Sequence, residues 1–304
     1  MIELLHDMTW VLPLRTPELT QLANAFTWLG YGTFLLFAVP IGFWGWNKHT
    51  FFRLLLLIGI SAWLNALFKD IFQDPRPPLE LRLDDRVGDS YGLPSGHAQL
   101  AVVLWLWLAY EVRRLWCWVA CALICLGVCL SRLYLAAHDI EDVLVGALLG
   151  GVTLVIAARV KDLAWWREAH VGWHVLSILV IGGGSLALWP ALEAPDYVPL
   201  FVGLLIGAAL GWRVEGRLLD FGAAPQVWRR VLAALLGALG FILLQKVLKV
   251  VEAQLGLPAE YWQGLRGLLM GLFVTLAMPW LLVKARLLVA RRTPAVAAGE
   301  VVGA

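Results

Sequence analysis

Residues 115–158 read LWCWVACALICLGVCLSRLYLAAHDIEDVLVGALLGGVTLVIAA, and this stretch decides the fold. A charge-free apolar run, Leu115–Leu130, meets a short polar passage, Ser131–Asp142, and a second apolar run follows at Val143–Ala158. A helix needs roughly 20 apolar residues, within a range of about 17–25, to cross a bilayer. Two such runs hinged on one polar passage read as a membrane hairpin. The whole chain agrees: 61% of its 304 residues are apolar and 15% charged, against about 45–50% and about 25% in soluble domains. Its mean hydropathy is +0.76. The excess apolar surface must face lipid, where only helices or closed barrels satisfy the backbone, and no barrel alternation is visible. A net charge of +2 offers no basic footprint for nucleic acid.

Nine charge-poor runs predict an all-α, polytopic helix bundle of about nine transmembrane helices: Phe26–Trp46, Phe51–Phe68, Ala98–Tyr110, Leu115–Leu130, Val143–Ala158, Val171–Leu192, Tyr197–Trp212, Val231–Leu244 and Gly267–Val283. Residues 1–25 carry Glu3, Asp7 and Glu18 among apolar neighbours, which suits an amphipathic segment at the interface rather than a cleavable leader. Residues 26–160 are expected to form a core and residues 161–304 a C-terminal helical extension. Lys48, Arg53, Arg113, Arg114, Arg159, Lys161 and Arg167 mark one side as cytoplasmic. The opposite side carries Asp70, Asp74, Glu80, Asp84, Asp85 and Asp89. The N-terminus is then expected outside and the C-terminus inside, with Lys284, Arg286, Arg291 and Arg292 in agreement and Lys246 and Lys249 against.

Alternating spans bring three polar clusters to the outer face. The first ends a span with Lys69 and Arg76; the second opens one with Pro94-Ser95-Gly96-His97; the third holds Arg132, His138 and Asp142. Guanidinium and ammonium groups suit phosphoryl oxygens. Lys69 and Arg76, seven apart, share a helical face if the helix runs to Gln73. Ser95 and Gly96 at a helix start provide free N–H groups and close backbone approach. Asp142, four residues after His138, can hold one imidazole nitrogen as N–H and leave the other to attack. His97 can protonate a leaving oxygen.

The pattern Lys-x6-Arg-Pro, Pro-Ser-Gly-His, Ser-Arg-x5-His-x3-Asp resembles the type 2 phosphatidic acid phosphatase superfamily. The resemblance covers about Phe51–Ala158. It implies a metal-independent phosphoric ester hydrolase, without cofactor, that works through a phosphohistidine. His138 would be the nucleophile, Asp142 its orienting group and His97 the acid. Lys69, Arg76, Ser95, Gly96 and Arg132 would hold the phosphoryl group. A membrane lipid phosphate or pyrophosphate, its tail in the bilayer, is the expected substrate on the extracytoplasmic face of the cell membrane. The flanking wording Trp63-Leu64-Asn65 and the nine-span topology also resemble glucose-6-phosphatase, which leaves a sugar phosphate as the second reading. A lipid transporter or flippase with a phosphatase-like core is the reading of another class.

Elsewhere the sequence is plainer. Cys117, Cys121, Cys125 and Cys129 are expected to pack inside a span. Gly203, Gly207 and Gly211, with Gly267 and Gly271, suggest close helix contact. His170 and His174 have metal-ligand spacing but read as interfacial packing. Arg213, Glu215, Arg217 and Asp220 read as a solvated turn.

Overall fold

The computed structural model describes residues 5–84, 86, 88, 90–191 and 194–291. Glu3, Asp85, Asp89, Leu192 and Arg292 therefore lie outside the described residues. The chain is helical, with one two-stranded ribbon: α1 Pro17–Trp28, α2 Gly32–Gly45, α3 Lys48–Phe72, α4 Gly96–Ala101, α5 Trp107–Val112, α6 Leu115–Tyr134, α7 Ile140–Val160, α8 Ala164–Glu168, α9 Val171–Ala187, α10 Tyr197–Leu218, α11 Val227–Leu255, α12 Ala259–Leu272 and α13 Met278–Lys284. The strands β1 Phe221–Ala223 and β2 Leu288–Ala290 pair antiparallel.

Each of the nine expected runs overlaps helix, though the first is interrupted and the sixth runs past the end of its helix at Ala187. Among the described residues, six helices are long and apolar enough to cross a membrane singly, or seven if α1 and α2, bent by 50°, make one span. The difference from nine has local causes. The first run breaks at Leu29–Tyr31, where α1 ends. The third is short, and α4 continues into α5 only through a turn of π-helix at Val102–Leu106. The sixth, α9, has 17 residues.

The chain forms two compact units. The first comprises Met1–Leu36, Leu54–Ala169 and Ser185–Val198. Here α1 packs on α6, and α4 packs on both α6 and α7. Thr16 caps α1 by accepting the Leu19 N–H at 3.2 Å. Asp139 caps α7 in a reciprocal box with Asp142, which fixes the first turn of α7. Glycines on α7 admit α4: a methyl on Gly150 would lie 2.7 Å from the carbonyl oxygen of Gln99. Cys117, Cys121 and Cys125 are buried free thiols, and Cys125 donates to the Ala101 carbonyl at 3.3 Å, as packing residues do. The last residues of α9 and the segment after it belong to this unit, with Trp63 Nε1 donating to Ser185 Oγ at 3.0 Å and Trp189 Nε1 to Asp70 Oδ2 at 2.7 Å.

The second unit holds Phe37–Arg53, His170–Gly184 and Pro199–Ala304. Gly203, Gly207, Gly267 and Gly271 bring α10 and α12 into backbone contact, as the small-residue spacing predicts. Of the expected turn, Arg213, Glu215 and Arg217 instead belong to the last part of α10, Asp220 follows it, and Glu215 is fully buried. The reason is tertiary: Lys48 Nζ lies 3.0 Å from Glu215 Oε2 and 2.8 Å from Asp220 Oδ1. Buried charges persist only when paired in this way. His170 accepts the Gly172 N–H at 3.1 Å, a capping role at the start of α9.

Candidate active site

The first unit gathers all eight candidate residues. His138 lies in the short connection between α6 and α7, is 1% exposed, and has a partner on each nitrogen. Its Nδ1 lies 2.9 Å from Asp142 Oδ2, four residues on in the first turn of α7. Its Nε2 lies 3.0 Å from Arg76 Nη1. The carboxylate only accepts and the guanidinium only donates, so the tautomer is fixed: Nδ1 carries the proton and Nε2 the lone pair. Burial, then the charges of Arg76, Lys69, Arg132 and His97, hold the ring well below its ordinary pKa, which keeps it neutral.

Arg76 reaches this nitrogen by a route other than a shared helical face. Helix α3 ends at Phe72, Gln73 turns left-handed at φ +51°, and Arg76 sits in the extended passage beyond. There it also donates to Ala137 O at 2.7 Å and Ser90 O at 2.6 Å. Burial, then the neighbouring Arg132, lower its pKa to about 10, so it stays charged at neutral pH. Lys69 remains on α3, buried, and donates to the carbonyls of Gly92 at 3.0 Å and of Tyr91. It thus holds the loop that leads into Pro94.

Ser95 precedes the first turn of α4, and its N–H donates to Asp142 O at 2.9 Å. One backbone bond therefore ties the Pro94–His97 cluster to α7, the helix of Asp142. Asn65 Nδ2 fastens the same cluster through Pro94 O at 3.1 Å and Gln99 Oε1 at 2.9 Å. Gly96 faces Asn65, where a methyl would lie 3.1 Å from Oδ1. The His97 ring meets Tyr31 edge-on at 4.6 Å.

Arg132 is wholly buried, with Nη1 2.8 Å from Asp84 Oδ2 and 3.3 Å from Thr27 Oγ1. Asp84 also accepts from Tyr31 Oη at 2.6 Å. Burial raises the Asp84 pKa, but hydrogen bonds from Tyr31 and Arg132 outweigh it and hold the carboxyl far below its ordinary value. Arg132 Nε and Nη2, His97 Nε2, Ser95 Oγ and Asp142 Oδ1 are buried without a hydrogen-bond partner among the described residues. Such a set of orphaned polar atoms is costly unless something else satisfies it. Four of these five atoms belong to groups that can donate to an oxyanion.

Thr27, Tyr31 and Asp84 were not legible as site residues. Tyr31 sits at the break between α1 and α2, inside what reads as one apolar run, and Asp84 pairs with a residue 48 positions away. Asp74, Asp139 and Asp142 place carboxylate oxygens within 4.8 Å of one another. Asp142 Oδ2 already accepts from His138, while Asp139 contacts His6 and the Asp142 N–H. We assign no metal to them.

A buried imidazole with a fixed lone pair and cations beside it thus lies within a bundle of membrane helices. The family model described as PAP2 superfamily matches residues 50–166, and the one described as PAP2 superfamily phosphatase, transmembrane extension, matches residues 200–292. The chain belongs to the PAP2 superfamily, and the first match contains all eight candidate residues. Sphingosine-1-phosphate phosphatase 1 of Rattus norvegicus is 31% identical over 148 residues, 43% of this chain and 33% of that protein. Glucose-6-phosphatase catalytic subunit 1 of Haplochromis nubilus is 25% identical over 210 residues, covering 59% and 58%. The match thus spans about a third of the former relative's length. The crystal structure of a transmembrane PAP2-type phosphatidylglycerolphosphate phosphatase from Bacillus subtilis superposes with a TM-score of 0.46 at 25% identity, over 51% of this chain and 82% of that one.

Proposed function

We propose that the chain hydrolyses a phosphate or pyrophosphate ester of a membrane lipid at the extracytoplasmic face, through a phosphohistidine at His138. The observation that carries this reading is the His138 ring held between Asp142 and Arg76, at 2.9 and 3.0 Å, beside the unpartnered donors of Arg132, His97 and Ser95. In the first step the Nε2 lone pair forms the N–P bond as the P–O bond to the leaving group breaks. Arg76 turns its N–H from the ring to a phosphoryl oxygen, and Asp142 holds the Nδ1 proton of the resulting imidazolium. His97 gives its proton to the leaving oxygen. In the second step water attacks phosphorus, His97 takes the proton from the water, and the N–P bond breaks to release phosphate. Lys69, Arg76, Arg132, Ser95 and Gly96 stabilise charge on the phosphoryl oxygens, the electrostatic part of such a transfer.

A lipid is favoured by the rim of this unit. Ile71, Phe72 and Leu79, close to Lys69 and Arg76 in sequence, and Tyr91, whose carbonyl Lys69 contacts, all expose apolar surface. One observation supports the sugar phosphate reading: the glucose-6-phosphatase match covers more of the chain, 59% against 43%. Phosphate release from a sphingoid phosphate, a diacylglycerol phosphate, an isoprenoid diphosphate and glucose 6-phosphate separates the two. Hydrolysis of a lipid ester in EDTA, lost in His138→Ala and in His97→Ala, is the expected result. Near wild-type release by His138→Ala refutes the mechanism. With the nucleophile removed, flux of lipid phosphate across vesicles would mark transport instead. A reporter fused after Ala304 is expected to read the cytoplasm.

A further inference from the structure

We propose that His6, in the segment before α1, is a positioning residue for the nucleophile, acting through the cap of α7. This rests on the reading of His138 given above. His6 Nδ1 lies 2.6 Å from Asp139 Oδ2, and its Nε2 lies 3.3 Å from Glu141 Oε2. Both ring nitrogens thus face carboxylates, and only the doubly protonated ring donates to both. Asp139 is 2% exposed, and its other oxygen accepts the Asp142 N–H at 2.9 Å. The Asp142 carboxylate in turn accepts the Asp139 N–H at 3.3 Å and that of His138 Nδ1 at 2.9 Å. Three contacts therefore lead from His6 to the attacking ring: His6 to Asp139, Asp139 to Asp142, and Asp142 to His138.

The segment is docked where it can do this. Met8 and Val11 are buried against Ala136, two residues before His138, with Leu81 and Leu133 around them. Thr16 N–H donates to Tyr134 Oη at 3.1 Å at the end of α6. The charges facing His6 are Asp139 and Glu141 on α7 and Asp74 from the passage after α3; beyond Asp139 lie Asp142 and the opposing Lys69. Clustered carboxylates repel, and an imidazolium among them holds Asp139 in its capping rotamer. The hydrogen bond to Asp139, the largest influence, raises the His6 pKa above its ordinary 6.5, so the ring keeps its charge to a higher pH than a free imidazole does. As pH rises through that raised value, one proton leaves and one carboxylate contact is lost.

The test uses the full-length protein on whichever substrate of the panel above it hydrolyses fastest, from about pH 5 to about pH 9. Wild type, His138→Ala, His6→Ala, His6→Gln, Asp139→Ala and the His6→Ala/Asp139→Ala double variant are compared, with a thermal midpoint for each. In His6→Ala we expect kcat to fall about tenfold to hundredfold with KM changed less than about twofold, as for a misplaced group outside the binding contacts. The double variant should be no slower than Asp139→Ala alone. The Gln amide can donate to both carboxylates at every pH, so His6→Gln should recover much of kcat and flatten the decline above neutral pH. An inactive His138→Ala beside a His6→Ala enzyme of wild-type kcat, even one with a lower midpoint, overturns the role of His6. Hydrolysis by His138→Ala overturns the nucleophile reading instead.

Discussion

Replacing Gly146 by alanine tests how closely the two halves of the site are held together. Gly146 lies on α7, four residues after Asp142, with its face against the backbone of Ser95. A methyl there would crowd the Ser95 carbonyl oxygen and lie 3.2 Å from both C and N of that residue, where ordinary contact begins near 3.4 Å. Nothing flexible can yield, because the atoms are backbone and Ser95 N is bonded to Asp142 O at 2.9 Å. Relief therefore separates α4 from α7 by about 0.5–1 Å, and a misplacement of about 1 Å can reduce rate on the order of a hundredfold. That is about 2.7 kcal/mol on the barrier, alongside an overpacking cost of about 1–3 kcal/mol in stability. The control is Gly151→Ala in the same helix, where a methyl meets nothing within 4 Å. Initial rates of phosphate release and thermal midpoints in detergent read both effects. Equal losses in the two variants, or a Gly146→Ala enzyme within about twofold of wild type, would refute the close-contact argument.

Asp84→Ala leaves Arg132 buried without its carboxylate, and breaking a buried pair costs about 3–5 kcal/mol. A fall in thermal midpoint, smaller for Asp84→Asn because the amide oxygen still accepts from Arg132 and Tyr31, is expected; an unchanged midpoint contradicts the pairing at 2.8 Å. If His138 attacks as proposed, the pH profile should show a group that is neutral when it reacts. His138 is held below its ordinary 6.5, so activity falls with acid only as pH drops through that lowered value. Arg76→Ala removes one opposing charge and should move the acid limb toward neutrality. A wild-type limb centred at or above 6.5 argues that another group limits the rate.

The sequence by itself determined the class of molecule and the placement of most of its helices, and it named the residues of the candidate site. Apolar runs announce spans because lipid excludes charge whatever the tertiary arrangement. His138 and Asp142 were legible by their four-residue separation, and they meet at 2.9 Å, although His138 lies in the bend before α7 rather than on a shared helical face. Spacing failed where the backbone left the helix: Gln73 turns left-handed, so Arg76 meets His138 by a loop path that no periodicity encodes. It failed again for Glu215, a charge in a polar-looking run that is buried because Lys48 arrives from 167 residues away. His6 and Asp84 belong to the same kind: each is an ordinary residue in a segment without regular periodicity, and each matters through a partner 133 or 48 positions distant. Composition and period are local properties of a chain, whereas which buried charge faces which is settled only when the helices close around it, because a desolvated ion must find its partner wherever the fold places one.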